Sequence, residues 1–369
     1  MAKVTFENKN NLFFQSVRRS VDEYFRSKNI SKTGDWRLFS KALVLLPSAL
    51  IVYILLVFFH LPVVFSLLLC GVFGLLLAGI GFNVMHDACH GSFSKKKWVN
   101  DLLGLSLNAI GGNAFFWKQK HNIVHHTYTN IDGIDDDIAQ GKFLRQSPTQ
   151  PWMPMHRYQH LYLTVAYALT LFMWVSLKDF EKYFSRRIHT TPLQPMDRRE
   201  HIIFWASKVL YGLTYIVIPI IFVGPIAWLI GYLTVGIITG IVVAYVFQLA
   251  HTVEGPESEF VTADDKVIES EWAVHQVKTT ANFATTSKTV SWLLGGLNFQ
   301  IEHHLFPRIC HVHYPAISKI VREHCMRFQL PYYCFPNVRI AVLSHLRTMK
   351  RLGQGDDWQG NTTPVHTSR

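Results

Sequence analysis

The sequence predicts an all-α integral membrane protein, with four transmembrane helices arranged as two hairpins beneath a cytoplasmic cap of histidine-rich helices. Three observations support this fold class. Apolar residues make up 49% of the 369 residues and charged residues only 17%, against roughly 25% charged in an average soluble domain. Four apolar runs approach or exceed the roughly 20 residues that cross a bilayer. Most of the 19 histidines lie outside those runs.

The first segment, residues 1–41, is a polar and basic arm that we expect to be cytoplasmic. It has no early apolar stretch, so we expect no cleaved signal peptide. Phe13, Val17, Val21 and Tyr24 recur in it at helical spacing. This pattern is typical of an amphipathic helix, and its apolar stripe fits either the membrane surface or the protein's own core.

The second segment, residues 42–325, contains the apolar runs and is the predicted membrane domain. The predicted spans are about 42–59, 61–82, 202–223 and 226–249. Each pair is separated by a very short turn, which predicts two hairpins. A fifth run, 161–177, is shorter and ends in charged residues, so we expect it to lie at the membrane interface.

The third segment, residues 326–369, is predicted to be a cytoplasmic C-terminal segment with a polar tail after Gly353. Lys and Arg concentrate in the two terminal segments and after residue 84, whereas the turns inside the hairpins carry none. The positive-inside rule therefore places both termini in the cytoplasm. That orientation also accounts for the net charge of +11. No basic run is interleaved with aromatics, which argues against nucleic acid as a partner.

Cysteine usage argues against several common site types. The five cysteines are scattered, and none belongs to a C-x-x-C motif. This disfavours a disulfide framework, a zinc ribbon and an iron–sulfur cluster. Histidine is therefore the residue type that points to a metal.

Three clusters of histidines predict a metal site. They are His86 and His90; His121, His125 and His126; and Gln300, His303 and His304. Residues three or four apart share a helix face, so each cluster can offer two side chains to one ion. Imidazole suits iron, zinc, copper and nickel. Seven histidines exceed the four ligands of one zinc, so two metals are the simpler interpretation.

The order of the clusters along the chain brings them to one side of the membrane. The first cluster follows the first predicted hairpin, and His251 follows the second. Because each hairpin returns the chain to its starting side, the clusters can converge. A fifth crossing at 161–177 would place the third cluster on the opposite side, which is why we expect that run not to span.

At these residues the chain resembles the membrane fatty acyl desaturases. The motifs H-x-x-x-H, H-x-x-x-H-H and Q-x-x-H-H occur in the order typical of that family, within the words HDACHGSF, HHTYTN and NFQIEHHLFP. The resemblance covers roughly residues 40–325. Glutamine at the start of the third motif resembles the front-end branch, which inserts a double bond between an existing one and the carboxyl end.

The resemblance implies a di-iron centre that uses O2 as co-substrate to desaturate a fatty acyl chain, such as a linoleoyl chain carried by CoA or a lipid. The implied iron ligands are His86, His90, His121, His125, His126, His251, His303 and His304, with His275 and Gln300 as weaker candidates. Gln300 can bind iron directly, act through water or only form a hydrogen bond. No catalytic residue beyond these ligands is implied.

Other residues near the motifs have candidate supporting roles. Asp87 and the run of Asp135, Asp136 and Asp137 can accept hydrogen bonds from the ligand imidazoles, although a solvated loop explains the run equally well. His311 and His313 are expected to be hydrogen-bonded or surface residues rather than ligands. Trp117 and Trp292 are candidates for lining a substrate tunnel, and interfacial anchoring is the alternative.

The implied chemistry needs electrons, and we expect a separate protein to supply them. The sequence has no His-Pro-Gly-Gly haem motif, no ferredoxin-like cysteine pattern and no convincing G-x-G-x-x-G. Ferredoxin and cytochrome b5 are the candidate donors, and both are usually acidic, so a basic cytoplasmic face is a plausible dock. Absence of the fused haem domain favours a bacterial inner membrane over the endoplasmic reticulum.

Two alternatives to a desaturase are considered. A related di-iron acyl hydroxylase has the same histidine scaffold, so the motifs do not separate it well. A metal transporter carries its polar ligands within the spans, and here the predicted spans are almost free of histidine and charge.

Overall fold

Helices form nearly all of the regular structure. The computed structural model describes residues 4–7, 11–139, 142–256, 261–262, 267–268 and 270–355. The predicted polar tail beyond residue 355 lies outside the described residues, and the prediction for it stays untested.

Four helices of the described chain are long and apolar enough to cross a membrane. They are Trp36–Phe58, Val63–His90, Arg198–Val223 and Pro225–His251, called membrane helices 1 to 4 below. This confirms the number of predicted long apolar helices, but each runs beyond its apolar core. Membrane helix 1 starts six residues before the predicted span because the Asp35 side chain accepts a hydrogen bond from the backbone N–H of Arg37 at 2.9 Å, which is an N-cap.

Membrane helix 2 continues past its predicted end at residue 82 and carries the first histidine pair. Its backbone passes through a π-helical turn at Gly81–Met85 and continues as His86–His90. The Asn83 side chain in that turn donates hydrogen bonds of 3.0 Å to the carbonyls of Gly79 and Leu293. The first histidine pair is therefore held on the same rod as the span below it.

Membrane helices 1 and 4 both pack on membrane helix 2. The contact with membrane helix 4 is close, because Gly74 leaves room for Ile238. The Thr239 hydroxyl also donates a hydrogen bond of 3.0 Å to the Gly74 carbonyl. This packing carries His86 and His251 to the same end of the helix pair.

The predicted fifth run forms a bent pair of helices. Its two arms, Pro154–Ala168 and Thr170–Ser185, meet at 59°, so the run at 161–177 is not one straight rod. The described chain has four candidate spans, or five if the bent pair is counted as one. An interfacial position for this pair stays a prediction.

The remaining helices surround the histidine-bearing ends of membrane helices 2 and 4. They are Leu12–Ser27, Lys97–Gly104, Ser106–Ala109, Ala114–Trp117, Trp272–Lys278, Lys288–Leu293, Gln300–Leu305, Tyr314–Arg327 and Val338–Leu352. A π-helical segment, Lys118–His125, follows Ala114–Trp117, and a 3-10 turn, His311–His313, precedes Tyr314–Arg327.

Short strands tie distant segments together. All pairs are two residues long: Thr5–Phe6 with Val267–Ile268, Ile131–Asp132 with Val261–Thr262, Asn282–Phe283 with Cys334–Phe335, and Arg187–Ile188 with Thr191–Pro192. The first three are parallel and join segments far apart in sequence, whereas the last is an antiparallel hairpin. The five cysteines are free thiols, as their scattering indicated.

The N-terminal helix, Leu12–Ser27, packs its apolar stripe on the protein itself. Phe13, Val17, Val21 and Phe25 are buried in a core shared with the helices around residues 273–325. Of the two possibilities left open by the sequence, the structure has the helix on the protein core. The stripe ends at Phe25 rather than at the predicted Tyr24, which is only partly buried.

We predict that Gly295→Ala destabilises the protein by at least about 2 kcal/mol. Gly295 has φ +58°, and a Cβ there would overlap the Phe82 carbonyl in membrane helix 2. Both a left-handed backbone and a backbone clash would oppose the substitution. Thermal unfolding of the purified protein in detergent measures the effect.

Gly212→Ala is the matched control, because a Cβ at Gly212 meets no atom within 4 Å and alanine favours a helix by about 1 kcal/mol. Equal unfolding temperatures for the two variants would contradict the close approach at Gly295.

Candidate metal centre

The structure brings eight predicted ligand histidines into one buried cluster. Each is at most 7% exposed, so bulk water is excluded from the nitrogens. Membrane helix 2 contributes two, the π-helical segment and its end three, membrane helix 4 one, and the helix Gln300–Leu305 two. They are His86, His90, His121, His125, His126, His251, His303 and His304.

The cluster divides into two groups of mutually close ligand atoms. In the four-histidine group, one ring nitrogen each of His86, His90, His121 and His303 lies within 4.8 Å of the others. In the three-histidine group the same holds for His125, His251 and His304. Two groups of this kind fit two metal ions better than one.

His126 lies between the two groups. Its ring centroid is 4.6 Å from that of His303 and 4.5 Å from that of His304. Its Nε2 is 3.2 Å from Nε2 of His121. His126 is therefore placed to serve either ion.

His121 and His125 fall on either side of the division into a four-histidine and a three-histidine group. Their ligand atoms nevertheless also lie within 4.8 Å of each other and of a carboxylate oxygen of Asp137, and their rings stack with centroids 5.3 Å apart. His303 and His304 are adjacent and point about 100° apart on their helix, which also sends them to different groups. His86 and His90 stay together on a regular turn.

Unpaired nitrogens test whether these residues fit a metal. Six of the histidines have a buried ring nitrogen without a hydrogen-bond partner: His86, His90, His126, His251, His303 and His304. A buried polar atom left without a partner costs about 1–3 kcal/mol. The six histidines have seven such nitrogens, two of them on His86. Nitrogens reserved for metal ions account for one on each histidine, so the donor set fits.

Hydrogen bonds to the other ring nitrogen orient several of these imidazoles. Nδ1 of His304 donates to Oε1 of Gln276 at 2.8 Å, and Nδ1 of His251 lies 3.3 Å from the Thr279 carbonyl. Nδ1 of His303 lies 3.1 Å from the Tyr314 hydroxyl. In each case Nε2 is left free for a metal, which is the usual arrangement around metal-binding histidines.

Burial keeps most of the imidazoles outside the membrane helices neutral. Desolvation, followed by the charges of neighbouring histidines, holds the pKa of His121, His126, His303 and His304 well below the ordinary value. A neutral imidazole has the lone pair that a metal needs. His125 is the exception: burial would lower its pKa, but Asp135 and Asp137 outweigh burial and raise it.

The four predicted supporting carboxylates take three different roles. Asp135 and Asp137 accept from Nδ1 of His125 at 3.0 and 3.3 Å. Asp136 instead forms ion pairs with Lys120 and Lys182, at 3.4 and 3.1 Å. The run is therefore a buried, paired structure rather than a solvated loop.

Asp87 supports the turn at residues 310–311 instead of a ligand imidazole. It accepts hydrogen bonds from Nδ1 of His311 at 2.7 Å and from Sγ of Cys310 at 3.1 Å. Lys41 donates to Nε2 of His311 at 3.0 Å, which completes a buried network behind the first histidine pair. His311 is thus hydrogen-bonded, as expected, and so is His313, at 3.3 Å from the Thr33 carbonyl.

Of the two weaker candidates, His275 does not join either histidine group. His275 is buried, and its Nε2 donates to the Thr129 carbonyl at 2.8 Å. Burial lowers its pKa to about 4. The neighbouring Gln276, which sequence reasoning missed, faces the site instead. Gln300 is buried with its side-chain nitrogen unpartnered, and its role stays open.

Two adjoining apolar cavities lead away from the cluster between the membrane helices. The near cavity is lined by Phe82, Met85, Trp117 and Phe247, among others. Trp117 also stacks on His121, with the ring centroids 4.3 Å apart. This cavity therefore adjoins the histidines. Of the two predicted tunnel tryptophans, Trp117 lines a cavity, whereas Trp292 is 47% exposed.

The deep cavity shares Leu77, Ile110 and Leu171 with the near one. It reaches Cys70 on membrane helix 2 and Gly231 on membrane helix 4. The two cavities therefore follow the membrane helices from the cluster toward their far ends.

Comparison with known proteins gives one family. The model of the fatty acid desaturase family matches residues 58–336. The chain is 37% identical over 353 residues to an sn-1 linoleoyl-lipid 6-desaturase of Arthrospira platensis, with 95% of each chain covered. It is 33% identical over 357 residues to an sn-1 linoleoyl-lipid 6-desaturase of Synechocystis, covering 93% of this chain and 96% of the relative.

A moss relative is similar over nearly the same part of this chain. The acyl-lipid (8-3)-desaturase of Physcomitrium patens is 35% identical over 345 residues, which are 92% of this chain and 72% of the relative.

We predict that His125→Ala and His304→Ala each abolish oxidation while membrane insertion stays intact. Both side chains belong to the three-histidine group, and each variant removes one of its three imidazoles. Iron per chain on the purified protein should fall toward half in both variants, as measured by elemental analysis.

His60→Ala is the control, because His60 is exposed in the turn between membrane helices 1 and 2. Full activity in either cluster variant would refute its assignment as an iron ligand.

Proposed function

Because this chain belongs to the fatty acid desaturase family, we propose that it is a front-end acyl-lipid desaturase with two irons bound by the eight clustered histidines. It is an oxidoreductase and a desaturase, and its named relatives favour that activity over acyl hydroxylation. The observation that carries the proposal is the pair of histidine groups with unpaired buried nitrogens, next to an apolar cavity.

In this proposal one iron is held by the four-histidine group and the other by the three-histidine group, with His126 between them. When bound, the irons supply the redox chemistry by which O2, two electrons and two protons convert –CH2–CH2– into –CH=CH– and two waters. The protein's own part is to hold the imidazoles neutral and correctly turned. Gln276, Thr279 and Tyr314 do this through Nδ1 of their histidines.

The two apolar cavities are the proposed site of the acyl tail. From His86 to Cys70 there are 16 residues along membrane helix 2, or about 24 Å at 1.5 Å per residue. An acyl chain fills one leaflet, about half of the ~30 Å hydrocarbon core. The cavities are therefore deep enough for the tail beyond the reacting carbons, and their lining excludes water.

The substrate proposed is a linoleoyl chain on a membrane lipid, with the new double bond at carbon 6. This follows the names of the two relatives that match the chain along nearly its whole length. A lipid-linked substrate also suits a site reached through the membrane helices, because its acyl chain enters from the bilayer.

The proposed topology has two hairpins, with both termini and the metal centre on the cytoplasmic side of a bacterial inner membrane. Its support is the enrichment of Lys and Arg in the segments outside the hairpins. A separate protein, either ferredoxin or cytochrome b5, is proposed to supply the electrons.

Lipid analysis in a host that makes 18:2 tests the function. With an electron donor present, we expect a new acyl product with a double bond on the carboxyl side of the existing ones, located by mass spectrometry. A hydroxylated product would contradict the desaturase assignment. Purified protein that binds no iron and gives no product would refute the oxidative function.

We predict that Gly231→Leu lowers turnover of an 18-carbon substrate at least about tenfold more than that of a 14-carbon one. A leucine side chain at this position would fill the deep cavity, where the longer tail is expected to end. Competition between the two acyl lipids, with product ratios read by mass spectrometry, measures the change.

Gly231→Ala is the matched control, because a Cβ there lies at an ordinary contact distance of 3.4 Å from Sγ of Cys70. Equal losses for both chain lengths in the leucine variant would show that the tail does not occupy the deep cavity.

A further inference from the structure

We propose that an acidic ferredoxin docks on a basic ridge formed by the N-terminal helix and the helix Tyr314–Arg327. This inference rests on the proposed function in one respect, the need for an external electron donor. The ridge is defined by the exposed basic side chains of the two helices: Arg18, Arg19, Arg26, Lys319, Arg322 and Arg327.

The two helices lie side by side and antiparallel. The ring centroids of Phe13 and Phe328 are 5.6 Å apart, and those of Phe25 and His313 are 5.1 Å apart. Midway between these contacts, the Ser20 hydroxyl lies 3.2 Å from Nε2 of His324. Because the apolar stripes of both helices face the same core, their basic faces both point outward.

The outer face has an excess of positive charge. Against six exposed Lys and Arg, the two helices expose only Glu23 and Glu323 among their acidic residues. Within the described residues, Arg19, Lys319 and Arg322 form no ion pair. Unpaired exposed cations of this kind steer acidic proteins to a surface.

The ridge rests on a core of its own. The core beneath it contains residues of the N-terminal helix and of the helices between residues 272 and 328, and none from membrane helices 1 to 4 in the described chain. By contrast, the basic run Lys95–Lys97 follows directly after membrane helix 2 and is joined to Trp98, which is 64% exposed. Exposed tryptophan beside lysine is typical of a membrane interface, so that run is expected to face headgroups.

The ridge is also connected to the metal centre by a short path through one helix and one hydrogen bond. Tyr314 begins the second ridge helix, is buried, and places its hydroxyl 3.1 Å from Nδ1 of His303. Lys319 and Arg322 lie five and eight residues further along, about 8 and 12 Å at 1.5 Å per residue. A carrier docked on the ridge would thus be separated from an iron ligand by one helix.

The redox balance requires two docking events per turnover. Each reduced ferredoxin gives one electron and leaves oxidised, and two electrons with two protons reduce O2 to two waters as the acyl chain loses two hydrogens. Docking must therefore be brief and repeated, which favours a charged and salt-sensitive surface over an apolar one.

The test variant is the triple charge reversal Arg19→Glu, Lys319→Glu and Arg322→Glu. Product formation is measured against plant-type ferredoxin concentration, with NADPH and ferredoxin reductase. We expect KM for ferredoxin to rise at least about tenfold, with kcat at saturation and iron per chain within about twofold of wild type. The wild-type dependence of KM on salt should largely disappear.

The matched control reverses the same number of charges at Lys95, Lys96 and Lys97. It should keep the wild-type KM for ferredoxin. An unchanged KM in the ridge variant, or an equal rise in the control, would overturn the assignment. Product with reduced cytochrome b5 but none with reduced ferredoxin would overturn the ferredoxin assignment, whereas no product with either donor would refute the proposed function. In that case surface plasmon resonance with oxidised ferredoxin still tests the ridge, which is refuted if wild type and ridge variant bind alike.

Discussion

The architecture depends on one arrangement that is unfavourable in free energy. A set of imidazoles is buried, and most of them have one ring nitrogen, directed into the cluster, without a hydrogen-bond partner. Such nitrogens are stable in an apolar interior only when metal ions complete them, or when the fold compensates elsewhere. Here three separate chain segments, around residues 135, 276–279 and 314, supply the compensation. Gln276, the Thr279 carbonyl, Tyr314 and Asp135 each hold the outer nitrogen of one histidine. Two of the helices outside the predicted spans, Trp272–Lys278 and Tyr314–Arg327, carry Gln276 and Tyr314.

The membrane helices and the outer helices divide the work of the site. Membrane helices 2 and 4 bring histidines to one end of a tightly packed pair. The same helices enclose the apolar cavities that begin beside Trp117. The outer helices close the cluster from the other side, and the core beneath the basic ridge contains no membrane-helix residue among those described. The proposed metal, acyl-chain and partner sites thus lie in three different parts of the structure: the histidine cluster, the cavities between the membrane helices, and the basic ridge on the outer helices.

The sequence predicts the helical class, the four long apolar helices and the convergence of the histidines, because periodicity and spacing are local properties. It does not predict how the pairs divide. The segment of His121 and His125 is π-helical, and nothing in the residue types signals that geometry. His275 was a weaker ligand candidate, yet its neighbour Gln276 faces the site, since one residue turns a helix by about 100°. Partners such as Tyr314 come from segments whose approach is set only by tertiary packing.

The π-helical turn at Gly81–Met85 has a consequence for how such a site can change. One extra residue in a helix rotates everything after it by about 100° without altering the rod below. The direction in which the His86 and His90 side chains point is therefore set independently of the helix face that packs on membrane helix 4. Each half can accept substitutions that suit its own surroundings, the bilayer for one and the ions for the other. Through this shift in helical phase, one continuous helix can face the lipid with one half and the metal ions with the other.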